Sequence, residues 1–509
     1  MKHSDINILV VDDDEGVRRN LEKALHREGY IVEVAEDSQN ACIKLDESPI
    51  HLAILDLRMP DLQGKFSDRA GIDLLEWIKR NHPETFVMML TGAGTVPTAV
   101  EAVNLGADYI EKDHLQPQYL KEKIKEIVKI NHNLKINFLH GTKLAKVEDE
   151  EILRRLFIDS SEIKVLEIAQ GSRETIIYRV TSRNLNGEWR VPFATKITWK
   201  HQILEEEKNY HQWVKYRLGG DRYASMLGAA AYSFKRGGIN MSFLNTDLTG
   251  LCDFKEFFRT NDRKTLKKVV SNLFENTLSY WYESKEPEQL WLIREYAGYL
   301  NADNWNLRRS VNRHIKEFKD SPNIELEQFD ISFPNPIKAF ENLLASSLLF
   351  EKRTYISTTH GDLHASNILV DNQKNSWLID FSNTGRSHIL RDFIELEVSI
   401  KFDLIDTEDL KALLELELSL LSQKDFRDTP KYFSSDEAFQ KAFEVVVKVR
   451  EYAYLTVAPN HDITEYYIGL LFYSLNMLRF SSKSVSKTKK ICILYSASIL
   501  LDGLGLSFQ

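Results

Sequence analysis

Short runs of consecutive apolar residues alternate with segments of helical periodicity along the first quarter of the chain. The runs INILVV (6–11), IVEVA (31–35), HLAIL (51–55), FVMML (86–90) and DYI (108–110) are predicted as strands. Between the first two, Val17, Leu21, Ala24 and Leu25 fall on one face of a helix, and Gly29 stands where a left-handed residue would close it. Unbroken apolar strands predict a parallel sheet covered on both faces, because an exposed face would force polar alternation. The expectation is a five-stranded parallel α/β domain over residues 1–133.

From 134 to 160 the pattern thins to KLAKVEDEEILRRLFIDSS, in which Ile152, Leu153, Leu156 and Phe157 make one narrow stripe. This predicts a linker helix that docks weakly. Two β-rich runs follow around a turn in IKVLEIAQGSRETIIYRV, then a strand in WRVPFATKIT, a helix in ILEEEKNYHQWV and a strand in GINMSFL. Residues 161–247 thus predict a small β-rich lobe with one helix. Residues 248–509 predict a mostly helical lobe, interrupted by a hairpin around HGDLHASNILVDNQKNSWLIDF.

Composition agrees with a folded chain: of 509 residues, 43% are hydrophobic and 28% charged. The formal net charge of −9, without a basic block, disfavours a nucleic-acid partner. Cys42, Cys252 and Cys492 are far apart and lack metal or disulfide spacing. No leader pattern opens the sequence, and the apolar stretch ICILYSASILL is interrupted by Asp502 short of a membrane span. No membrane insertion and a cytoplasmic location are expected.

Four sets of polar residues fall at the carboxyl ends of the predicted parallel strands: Asp12 and Asp13, Asp56, Thr91, and Lys112. Ligands of open α/β sheets bind there, so the four can converge on one pocket. Carboxylates in such proximity repel one another and call for a hard, oxygen-ligated cation such as Mg²⁺. Lys112 supplies a point cation, Thr91 a hydroxyl, and Asp56 a nucleophile able to form an acyl phosphate. The motifs VVDDD, LDLRMP, MLTG and GADYIEK resemble the flavodoxin-like receiver domain of bacterial response regulators. The resemblance implies metal binding by Asp12, Asp13 and Asp56, phosphorylation of Asp56, a switch hydroxyl on Thr91, phosphoryl recognition by Lys112 and a mobile aromatic at Tyr109. It also implies a histidine kinase or phosphotransfer protein as partner. Two features depart from the family: Asp113 replaces the usual proline after Lys112, and the loop DLQGKFSDRAG is long.

A second constellation orders Asp362, Asn367 and Asp380 within TTHGDLHASNILV and SWLIDF. Phosphoryl transfer to a hydroxyl uses such a set, one carboxylate orienting the acceptor while an amide oxygen and a second carboxylate hold Mg²⁺ on ATP. Upstream, Lys196 in FATKIT can reach the phosphates, with Glu207 as its partner on the face shared with Ile203, Tyr210 and Val214; Glu205 or Glu206 are alternatives. Over roughly 161–400 the order resembles the aminoglycoside phosphotransferase and choline kinase branch of the protein-kinase-like fold, which implies an α+β bilobal domain with a largely helical C-lobe over 161–509. The resemblance implies Asp362 as catalytic base, Asn367 and Asp380 as metal ligands, Asp392 as a structural support and Gly171 in the nucleotide-covering loop. The lone Gly171 and the Asp380-Phe381-Ser382 triplet depart from a Gly-rich loop and a DFG. The expected protein is a response regulator whose output is an ATP- and Mg²⁺-dependent phosphotransferase on an unidentified acceptor. The alternative is a pseudokinase that binds a partner protein.

Overall fold

The computed structural model describes residues 6–92, 96–112, 120–122, 124, 130–144, 146–170, 174–218, 223–242, 251–315, 321–326, 331–345 and 351–505. Gly171 and Asp113 lie outside the described residues. The chain forms two compact units, one of residues 1–204 and 226–242, the other of 205–225 and 243–509.

In the first unit the five expected strands are β1 (Asn7–Val11), β2 (Ile31–Ala35), β3 (Leu52–Leu55), β6 (Phe86–Thr91) and β7 (Asp108–Glu111). They pair in parallel in the order β2-β1-β3-β6-β7. Their continuous apolar sequences are explained by the two cores they separate, one around Leu9, Leu55, Leu74 and Met89, the other around Ile8, Leu25, Ile54 and Ile110. Helix α1 (Glu15–Arg27) starts where Asp14 accepts hydrogen bonds from the Gly16 and Val17 N–H groups, and Gly29 closes it with φ +90°. The long loop after Asp56 is a short hairpin, β4 (Met59–Pro60) paired with β5 (Phe66–Ser67). Among the described residues, the helices that follow in this repeat include α2 (Ser38–Glu47), α3 (Ala70–Asn81) and α4 (Val96–Asn104).

A second sheet completes this unit, built from β8 (Lys135–Phe138), β9 (Ser160–Gln170), β10 (Ile176–Asn184), β11 (Phe193–Trp199), β12 (Ser225–Tyr232) and β13 (Arg236–Ser242). Its order is β12-β13-β11-β10-β9-β8. The segment expected to be a weakly docked linker is part of this body. Residues 135–138 pair with β9, and the helix Val147–Leu156 buries Ile152, Leu153 and the following Phe157 against Ile163, Val165, Tyr178 and Ile197. Asp149 on that helix is fully buried against Arg236 at 2.9 Å. A Cβ on Gly238 would come within 2.4 Å of Ile152, so this glycine permits the helix its close approach.

The second unit is mostly helical, with a hairpin of strands Ile368–Val370 and Ser376–Leu378 where the sequence predicts one. A three-stranded sheet joins Glu286–Trp291, Glu351–Thr359 and Gly385–His388. The apolar stretch near the C-terminus lies in the buried helix Lys487–Gly503. Among the described residues, no helix is long and apolar enough to cross a membrane. A buried ionic network ties helical segments of this unit together. Arg450 binds both oxygens of Glu397 at 2.7 Å, and Lys401 lies 3.3 Å from Glu397 and 2.9 Å from Glu417. The Tyr466 and Ser496 hydroxyls donate to Glu397 and Glu417 respectively.

Candidate functional site

At the carboxyl end of the parallel sheet, Asp12, Asp13 and Asp56 bring one carboxylate oxygen each within 4.8 Å of the others. Strand β1 delivers the first two and β3 the third, because the neighbouring parallel strands end level. Lys112, one residue past β7, reaches across them with its ammonium 2.6 Å from Asp12 Oδ2 and 3.1 Å from Asp56 Oδ1. The Arg58 N–H donates to Asp56 Oδ2. Asp56 is 7% exposed, and burial pushes its carboxyl up from the usual range, with Lys112 only partly offsetting it and Asp12 adding to the rise. For Lys112 burial favours loss of the proton, yet the two carboxylates prevail and raise its pKa. Thr91 ends β6 with its side chain buried, and Tyr109 on β7 is half-buried against the core. A Cβ on Gly71 would meet the Asp56 carbonyl oxygen at 2.2 Å, so α3 packs directly beneath the site. Three oxygen donors and a single ammonium fit a hard divalent cation such as Mg²⁺.

In the second unit the chain turns sharply at Gly361, whose φ is +76° and whose Cβ would stand 2.3 Å from the Asn383 carbonyl oxygen. Only glycine fits there. Asp392 fixes this turn by accepting from the His360 and Gly361 N–H groups at 2.8 and 2.9 Å, and from the Tyr282 hydroxyl at 2.8 Å. Arg391 donates to the Gly361 carbonyl, and Glu395 accepts from the Leu363 N–H at 2.8 Å. The partly exposed Asp362 is thereby held by its neighbours' backbone. Asn367, 6% exposed, donates its amide to the Asp362 carbonyl at 2.8 Å and lies 3.5 Å from Asp362 Oδ2. The structure brings Asp362 and Asn367 together in this way. Asp380 sits at φ +67° and accepts from the Ser382 hydroxyl at 2.8 Å. Burial, and then the charge of Asp362, raise the carboxyl of Glu395 well above its usual range.

Lys196 lies in the first unit, on β11 opposite Ile177 and Ile239, and is 4% exposed. On the helix Lys200–Asn209 it is Glu206, not Glu207, that is buried; Glu207 is half-exposed. The Glu206 carboxylate accepts from the Phe381 N–H at 3.3 Å, and Asn209 donates to the Ser382 carbonyl at 2.8 Å. Sequence reasoning missed Arg391, Glu395 and Tyr282. The first two flank Asp392 in RDFIELE, at helical spacing that could have marked them; Tyr282, more than a hundred residues upstream, left no such signal.

A family model described as Response regulator receiver domain matches residues 8–125, and one described as Ternary complex associated domain 9 matches 324–479. An NtrX-like response regulator of Rickettsia felis is 36% identical over 147 residues, covering 28% of this chain and 30% of its own. The acid tolerance regulatory protein ActR of Rhizobium meliloti is 38% identical over 109 residues, covering 21% of this chain and 53% of its own. A solved CheY-like receiver domain protein from Methanospirillum hungatei is 34% identical over 24% of this chain and 93% of its own, with a TM-score of 0.22. The chain spans 30% and 53% of the length of these two curated relatives. The acidic pocket and the matched stretch coincide on the same βα repeat, and the N-terminal part of this chain is a receiver domain of the two-component response regulators.

Proposed function

We propose that a histidine kinase or phosphotransfer protein phosphorylates Asp56, and that this controls a phosphotransferase in the rest of the chain. For the receiver, the carrying observation is the triad of Asp12, Asp13 and Asp56 with Lys112 bridging two of them. A divalent cation held by the three carboxylates would neutralise charge on the incoming phosphoryl group. An Asp56 oxygen forms the new P–O bond while the bond to the donor's nitrogen or oxygen breaks. Lys112 then faces a phosphoryl oxygen in place of the free carboxylate. Acetyl phosphate with Mg²⁺ adds one phosphoryl group to the protein, read by intact mass, and Asp56→Asn abolishes it. Undiminished labelling of that variant would remove Asp56 from this role.

For the output, support comes from the pairing of Asp362 with Asn367 on a turn that Asp392 pins by two backbone N–H groups. In this reading an acceptor hydroxyl gives its proton to Asp362, its oxygen forms the bond to the γ-phosphorus of ATP, and ADP leaves with the bridging oxygen. Asn367 and Asp380 would hold Mg²⁺ on the nucleotide. Asp380→Asn then weakens Mg·ATP binding in a calorimetric titration far more than Asp362→Asn, and equal losses would contradict these roles. The match to a family described as ternary complex associated favours a second reading, a partner-binding module controlled by the receiver. Steady ADP formation that vanishes in Asp362→Ala separates the two.

A further inference from the structure

The strand that ends at Thr91 begins beside a buried carboxylate that the phosphoryl chemistry does not use. Glu84 lies two residues before β6 and is 5% exposed. Its Oε1 is 2.9 Å from Lys200 Nζ and 3.3 Å from His82 Nδ1, and its backbone carbonyl accepts from Arg155 at 3.3 Å. The Arg155 guanidinium also lies 5.6 Å from the centre of the Phe86 ring. The other carboxylate oxygen, Oε2, is buried and accepts no hydrogen bond, beside a cavity lined by Ile50, His51, Arg155 and Phe234. A half-satisfied buried carboxylate is costly, and the ammonium of Lys200 offsets part of that cost.

Lys200 is the first residue of the helix Lys200–Asn209. The helix dipole opposes a cation at that end, and Glu84 is the group that compensates it. Toward its other end the same helix carries Glu206 and Asn209, which hold the backbone of Phe381 and Ser382 immediately after Asp380. A continuous hydrogen-bonded helix therefore joins a receiver carboxylate to the turn that presents Asp380.

We propose that Glu84 and Lys200 are positioning residues through which the receiver sets this helix and, with it, the Asp380–Ser382 turn. The consequence for nucleotide rests on the output reading above, whereas the transmission does not. Phosphorylation draws on Thr91 at one end of β6, and Glu84 precedes the other end of the same strand. Any shift changes the Glu84–Lys200 contact, in which the buried Glu84 relies on the partly buried Lys200 for its charge partner.

The test is hydrogen exchange by mass spectrometry on the full-length chain, with and without Mg²⁺ and beryllofluoride as phosphoryl mimic. Exchange in peptides covering 200–209 and 379–384 changes by about fivefold or more on adding the mimic, the lower bound of a typical coupling. Glu84→Gln and Lys200→Gln lose the response in both segments while acetyl phosphate still labels Asp56, and Lys200→Arg, which keeps the cation, retains it. If Glu84→Gln does not fold, the Lys200 pair of variants decides alone. No response in the parent, or an undiminished response in Lys200→Gln, overturns the proposal. A response in both segments from a protein that binds no Mg·ATP would sustain the transmission and remove the nucleotide reading instead.

Discussion

In the receiver pocket, burial pushes the carboxyl of Asp56 up, and the ammonium of Lys112 does not restore it because Asp12 adds a second negative charge. In the helical unit, burial opposes ionisation of Glu397 as well. There the charges of Arg450 and Lys401, with hydrogen bonds from Arg450 and Tyr466, overcome it and lower the carboxyl to about 2. The difference is one of charge balance. Three carboxylates share one ammonium in the first case, whereas Glu397 and Glu417 face Arg450 and Lys401 in the second. A cluster short of cations is one a metal and a phosphoryl group can complete; a neutral one is framework.

Breaking the neutral cluster is expected to give the largest effect. Glu397→Gln leaves Arg450 and Lys401 buried with too little negative charge, and removing one partner of such a pair costs about 3–5 kcal/mol. Urea unfolding read by circular dichroism checks this. In the receiver the sign reverses: Asp56→Asn removes an undercompensated charge and raises the melting temperature. A fall in both variants would erase the contrast.

Acid sharpens the same point. The Glu397 carboxyl is depressed when folded, so its contribution is complete above the ordinary glutamate range and is lost as pH falls from about 4.5 toward 2. The shift amounts to roughly 3 kcal/mol at 1.36 kcal/mol per unit. Asp56 is shifted upward, so in the metal-free protein its ionisation opposes folding as pH rises through its folded pKa. Metal-free urea unfolding in which Asp56→Asn changes nothing across that rise would contradict the burial of Asp56.

A smaller effect separates the clusters by ligand. Mg²⁺ at about 100 times its dissociation constant stabilises the receiver by about 2.7 kcal/mol through mass action. Asp13→Asn weakens that gain, and Glu397→Gln leaves it intact. The same Mg²⁺ response in Asp13→Asn as in the parent would remove this residue from the metal site.

How much of this was legible depended on whether the deciding contacts are local. The receiver strands could be read because each is buried on both faces, which leaves an unbroken apolar run in the sequence. Glu206 and Glu207 could not be separated, because both fall within the width of the apolar face marked by Ile203, Tyr210 and Val214. The helix 147–156 looked too charged to be core, yet Glu150–Arg154 and Glu151–Arg155 pair along it and Asp149 finds Arg236 far downstream. Strand β12, with SMLGAAAY, offers neither alternation nor β-branched residues and left no signal. Asp362, Asn367 and Asp392 stood out by motif, but the roles of Glu84 and Lys200 rest on a pairing 116 residues apart.

In the proposed function the state of Asp56 is felt at the turns that carry Asp362 and Asp380. Its most direct test is a calorimetric titration of Mg·ATP into the full-length protein with and without beryllofluoride, repeated with Asp56→Asn. Affinity changes by about 5- to 150-fold in the parent, ATP has an equal reciprocal effect on binding of the mimic, and the variant shows no change. Measurable Mg·ATP binding with identical affinities in the presence and absence of the mimic would contradict it.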